Sequence, residues 1–355
     1  MERVCVNPHA GYFDELMLHG MHNGMLYLGG SGNVVNPHGF REYKLDPATG
    51  VLTEIDGRGK IAWRSAPDYP NNKIYIAGEA VPVGAQYATA AAFWAACQTM
   101  VGYIDLTDDS VHYWTIPGTA DTNEIVGLAL DTAGRQLFLG ERSHSSASAG
   151  SNWPNGHGIW VVPLLADGSP NIAAANRFFE NAANNSIGQV EVFANKVFWS
   201  DGNAGFFECP ASGPAAGNVV ASLVPGGVGG LYGLHKSAHY SQLYALGEDT
   251  FPGQLRTYAH DGTAWGPVRY YGCDYGAYAA ELSDGNFVVF SFEAYPLVRA
   301  TLLDPVTGAW DYITPPMGGD LPGRDVFVQV TADDLYFATV KSSGFMGAIW
   351  KLART

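Results

Sequence analysis

The chain has 355 residues, of which 47% are apolar and 13% aromatic, ample for a large core, while only 15% are charged against about 25% in an ordinary soluble domain. Acidic residues number 34 against 19 basic, for a formal net charge of -15. No run of Lys or Arg occurs, which argues against nucleic acid and anionic membrane surfaces as partners.

Taken from the start, the segment MERVCVNPHAGYF has no apolar export core, and no uncharged apolar span of about 18 residues follows anywhere. Neither a signal peptide nor a membrane helix is expected, which reads as a cytoplasmic or virion-associated protein. The four cysteines, Cys5, Cys97, Cys209 and Cys273, lack CxxC spacing, so free, mostly buried thiols are expected rather than a zinc site or a disulfide framework.

A short apolar signature then recurs seven times: Leu26-Tyr27-Leu28, Ile74-Tyr75-Ile76, Leu137-Phe138-Leu139, Val197-Phe198-Trp199, Leu243-Tyr244-Ala245, Phe287-Val288-Val289 and Leu335-Tyr336-Phe337. Turn residues precede each copy, such as Asn23-Gly24, Asn71-Asn72, Ala133-Gly134 and Asp284-Gly285. Short β-branched and aromatic runs bounded in this way predict antiparallel strands joined by tight turns. First strands are expected at 126–130, 189–193 and 326–330, third strands at 40–45, 103–106, 159–162 and 255–259, and fourth strands at 111–116 and 219–223. Residues 276–316 hold all four strands of one unit.

A four-stranded sheet of this kind cannot bury both faces alone, so it must stack on its neighbours. The last unit, 325–354, lacks a fourth strand, and residues 3–6 at the other end of the chain can supply it, removing two open edges. The fold expected is all-β: one domain over 1–355, a seven-bladed β-propeller of four-stranded antiparallel blades, the last closed by the N-terminal strand. Its blades fall at about 14–56, 60–117, 124–180, 187–224, 230–272, 276–316, and 325–354 with 3–7.

Leu26 to Gly30, LYLGG, with Tyr43 in the next strand and DPATG ahead of Val51, resembles a kelch-type blade. Residues 299–313, RATLLDPVTGAWDYI, are similar to the end of such a blade, with Trp310 in its fourth strand. Paired glycines are missing from units three to seven, and the Gly-His and Trp-Asp signatures of the WD40 family do not occur. The resemblance covers blades 1 and 6 and implies a fold, not an activity.

Two connections between second and third strands are long, and such loops on a rigid scaffold carry binding. Residues 80–100, AVPVGAQYATAAAFWAACQTM, have no charge and include Tyr87, Phe93, Trp94 and Met100. The Ala-rich half favours a short helix that either plugs the central channel or forms a partner-binding patch. Residues 142–158, RSHSSASAGSNWPNGHG, are small and polar, with Trp153 as an anchor; His144 and His157 read as loop histidines or as acid/base groups.

Second strands two to six end in an acid: Glu79, Glu141, Asp201, Glu248 and Glu293. Equivalent positions come round one face, where the five carboxylates form a partial ring that attracts cations and holds Ca²⁺, or else each is solvated or paired with an Arg such as Arg142. No HExxH, Gly-x-Ser-x-Gly, P-loop, EF-hand or GxGxxG motif occurs in its required context.

These features favour a non-catalytic protein-interaction or structural propeller without a cofactor, held by protein partners in a larger assembly, a viral or phage virion being one such setting. Two alternatives come from other classes. One is a channel-mouth enzyme of lactonase or lyase type, with a divalent cation on the acidic ring and His144 or His157 as base. The other is a carbohydrate-binding propeller that stacks sugars on Trp94 or Trp153.

Overall fold

The computed structural model describes residues 2–6, 16–31, 40–57, 60–80, 96–117, 119, 123–143, 157–181, 187–201, 205–213, 220–223, 231–248, 254–274, 276–294, 297–313, 326–330, 334–339 and 348–353. Six sheets of it are each built from four consecutive strands, and each is antiparallel with its strands in chain order. Sheet I comprises Leu16–His22, Met25–Ser31, Phe40–Asp46 and Val51–Asp56. Sheet II comprises Lys60–Asp68, Lys73–Ala80, Gln98–Asp105 and Val111–Thr115. Sheet III comprises Asn123–Asp131, Gln136–Ser143, His157–Pro163 and Asn176–Asn181.

Sheet IV holds Ile187–Phe193, Lys196–Asp201, Gly205–Pro210 and Val220–Leu223. Sheet V holds Leu231–Ser237, Gln242–Glu248, Gln254–His260 and Arg269–Asp274. Sheet VI holds Gly276–Glu281, Phe287–Ala294, Leu297–Leu303 and Trp310–Tyr312. A further four-stranded sheet, VII, is composite: Val326–Val330, Asp334–Thr339 and Ala348–Ala353, with Glu2–Val6 on the edge of the last. There Arg3 pairs with Trp350 and Val6 with Ala348.

The burial of each strand follows from its place in the sheet. Second strands have neighbours on both edges and packed sheets on both faces, so Lys73–Ala80 is buried at every residue and its apolar run is continuous rather than alternating. Fourth strands lie on the sheet edge, and Val51–Asp56 holds no buried residue. Adjacent sheets adhere through these inner faces. Tyr27 of sheet I packs with Ile74, Ile76 and Met100 of sheet II, and Tyr75, Ala77 and Val101 of sheet II pack with Ile125, Leu137 and Leu139 of sheet III. Each large apolar side chain so buried contributes about 1.5–3 kcal/mol, which no sheet obtains alone.

Bulges recur with the repeat. In sheets II, III, V and VI the first strand carries one extra residue at the same rung, namely Trp63, Val126, Tyr232 and Ala277. In sheet I it falls two rungs nearer the hairpin turn, at His19. Bulges increase local twist and re-aim side chains, and at His19 that second effect matters below.

Two compact units emerge from the contacts, residues 7–190 and residues 1–6 with 191–355, the division falling within the first strand of sheet IV. Among the described residues no helix is long and apolar enough to cross a membrane. Cys97, Cys209 and Cys273 are buried.

Candidate functional site

The third strand of sheet II begins at Gln98, not near Tyr103 as the sequence pattern placed it, because the ladder with the second strand runs unbroken from Lys73 and Asp105 to Ala80 and Gln98. That extension takes Met100 out of the loop. Paired with Gly78 and fully buried against Tyr27 and Ile76, Met100 is a core side chain in the seam between sheets I and II and offers no surface for a partner. Tyr87, Phe93, Trp94, Trp153 and His144, and the helix expected in the Ala-rich stretch, lie outside the described residues.

A buried polar lock ties together the strands from which the two long insertions leave. Thr99 follows the 81–97 insertion on the third strand of sheet II, and its hydroxyl donates to Glu141 Oε1 at 2.7 Å. Glu141 stands two residues before the end of the second strand of sheet III, where the 144–156 insertion departs. Its other oxygen, Oε2, meets Arg177 Nη1 of the fourth strand at 2.6 Å. Arg177 reaches over the third strand at Gly158, where a Cβ would lie 2.8 Å from the guanidinium, and it stacks on Trp160 at 4.4 Å. The Thr119 hydroxyl accepts from Thr99 N at 2.9 Å, fixing the strand start further.

This arrangement corrects part of the acidic ring. Glu141 is fully buried and both its oxygens are engaged by Thr99 and Arg177, so it is a structural anchor and not an open cation ligand. Glu79 is also buried, on the same rung as Thr99. Asp201, Glu248 and Glu293 end or nearly end their second strands as expected, but their side chains, like that of His157, lie outside the described set. Among the described residues no three His, Cys, Asp or Glu side chains gather as a metal site. Sequence reasoning missed Arg177, which lies 36 residues beyond its partner on an outer strand and shares no motif with it.

A similar buried pair lies within sheet I. His19, on the bulge, places Nε2 3.0 Å from Glu42 Oε2, and both residues are buried. The contact passes over Gly29 of the strand between them, where a Cβ would come within 2.7 Å of His19 Nε2. Ser65 of sheet II donates to the His19 carbonyl at 3.0 Å. A third polar cluster bridges sheets IV and V: Glu208 meets Lys196 at 2.6 Å and His260 at 3.6 Å. His260 is enclosed by Phe198 and Trp265, each at 4.9 Å, and this burial lowers its affinity for a proton. Burial, with Glu208 adjacent, pushes the Cys209 thiol up to about 12, so it is an inert packing residue.

Neither a protein-family model nor a curated protein matches the sequence. Solved structures do match in shape. An oligogalacturonate lyase in complex with manganese aligns over 96% of this chain and 91% of its own, with TM-score 0.62 and 11% identity. The oligogalacturonate lyase from Vibrio parahaemolyticus aligns over 99% and 92%, with TM-score 0.63 and 10% identity. The WD40 β-propeller domain of Doa1 aligns over 99% and 96%, with TM-score 0.56 and 12% identity. Likenesses at such identity concern the fold alone: the chain is a β-propeller of four-stranded antiparallel blades.

Proposed function

We propose that this chain is a non-catalytic binding propeller, one domain that joins a larger assembly by engaging a partner protein through the insertions 81–97 and 144–156. The observation that carries the reading is the 2.7 Å bond from Thr99 to Glu141, which ties the bases of both insertions together. Both insertions thereby leave adjacent sheets from strand ends joined by a buried bond, and loops on such a scaffold are where recognition usually resides. A buried, charge-compensated carboxylate is costly to assemble and very costly to break, about 3–5 kcal/mol, so its use here favours loop presentation over chemistry. In the same reading the composite sheet serves as a seventh blade that closes the ring, in keeping with the kelch-type resemblance of the first and sixth.

The test replaces residues 82–95 by a short Gly-Ser linker, sparing buried Cys97 and Gln98, and separately shortens 144–156. We expect partner retention from the native source to be lost while thermal melting stays unchanged; a partner retained by the doubly shortened chain overturns the reading.

The enzyme alternative draws on the oligogalacturonate lyases among the structural neighbours, one with manganese. In it Asp201, Glu248 and Glu293 would hold a divalent cation at the channel mouth. Calorimetric titration with Mn²⁺ or Ca²⁺ separates the two readings: tight binding that the Glu248→Gln change abolishes favours the enzyme.

A further inference from the structure

The seam between sheets V and VI is filled along its inner length by Tyr244, Leu246 and Tyr271 against Phe287, Val289 and Leu303. Toward the end where first and second strands turn, it opens into a cavity of about 270 Å³. Tyr240, Gln242, Tyr244, Asp261, Arg269 and Val306 line it. Small-molecule clefts begin near ~300 Å³, so this cavity takes a single ring-sized unit.

Its polar groups are of both kinds. Arg269 spends Nη1 on the carbonyls of Pro305 and Val306, at 2.6 and 3.2 Å, which leaves further N–H groups of the guanidinium to donate. Asp261 Oδ1 accepts from the backbone N–H of Ala264 and Thr263, at 2.9 and 2.8 Å. Those bonds hold the carboxyl below its usual range, so Oδ2 is an anionic acceptor. The Tyr244 hydroxyl donates to Gln242 Oε1 at 3.0 Å and leaves the amide NH₂ to donate in turn. Burial pushes Tyr244 up to about 12 and raises Tyr240, so both rings keep their phenolic protons.

Beyond Val306 the same turn leads into an aromatic surface. Trp310 lies beside Gly272 of sheet V, where a Cβ would be 3.4 Å from the indole nitrogen. Its ring meets Tyr312 edge-on at 5.1 Å, and the two remain 38% and 37% exposed. A cavity of mixed donors and acceptors, with aromatic faces left to water further along the hairpin of Val306, suits a ligand with an apolar face and a hydroxylated edge. Charge decides which such ligand. Asp304, Glu281 and Asp284 all act on Tyr240, Asp261 joins them, and the whole chain carries -15, so the field disfavours an anion.

We propose that this cavity and the adjoining Trp310–Tyr312 face bind a neutral saccharide, one ring seated against Tyr240 and Tyr244 with its hydroxyls bridging Asp261 and Arg269, the next stacked on Trp310. The proposal does not rest on the role of the two insertions.

The test probes an array of neutral and acidic oligosaccharides with the full chain and follows the best retained neutral glycan by calorimetry. Tyr240→Phe removes one hydroxyl and Trp310→Ala removes the stacking face, with melting curves confirming that both variants fold. Neutral glycans are expected to be retained over acidic ones, with affinity at least about tenfold weaker in each variant and unchanged when residues 82–95 are replaced. Retention of no neutral glycan, retention of acidic glycans alone, or undiminished affinity in both variants overturns the proposal.

Discussion

Single side chains at the seams carry most of the polar chemistry, and their protonation sets how the protein responds to acid. His235, on the first strand of sheet V, packs edge-on against Phe287 at 4.9 Å. The residue as a whole is partly exposed, but its Nε2 is buried without a partner. Burial lowers its proton affinity to about 4, and the opposing pull of Glu281 does not restore it. The unfolded imidazole titrates near ~6.5, so between that value and about 4 the unfolded chain binds a proton that the folded one does not. Stability from this group is therefore complete above about 6.5 and falls as pH drops toward 4, by roughly 3 kcal/mol at the limit. Urea unfolding at pH 7 and pH 5 is expected to show that loss in the native chain and a smaller one in His235→Gln; equal losses would refute the assignment.

Strands and turns were readable because they use local chemistry. The apolar signature marks each second strand, and that strand is the one buried on both faces. The third strand of sheet II was misplaced for a reason equally physical. Gln98 and Thr99 follow an uncharged stretch and look like loop, and only the partner ladder from Ala80 turns them into strand. The composite sheet gives the clearest test at this level. Removing residues 2–6 strips four paired residues from Ala348–Ala353 and bares its edge. A thermal midpoint lower by about 5 °C or more and concentration-dependent aggregation are expected, measured by scanning fluorimetry and light scattering. An unchanged midpoint would show that the N-terminal strand adds nothing to the sheet.

Within each compact unit small sheets adhere face to face, and the chain has few charges available for steering. At -15, with 19 basic residues and no run of Lys or Arg in the sequence, it offers no concentrated positive charge to release counterions from a polyanion. Neither duplex DNA nor anionic vesicles are expected to bind in gel-shift and flotation assays even at low salt. Binding of either would reveal a basic surface that the composition hides.

Repetition of a short apolar strand after a tight turn was enough to define sheets and their number of strands, since those features depend on neighbours a few residues apart. The paired termini were inferable too, from one unit short of a strand and one strand without a unit. How side chains from separate strands meet was not inferable. His19 finds Glu42 over Gly29, Glu141 finds Arg177 over Gly158, and the Tyr240 cavity forms between two sheets. Each joins residues from different strands whose meeting depends on bulge position and sheet packing, and only the folded chain brings them within bonding distance.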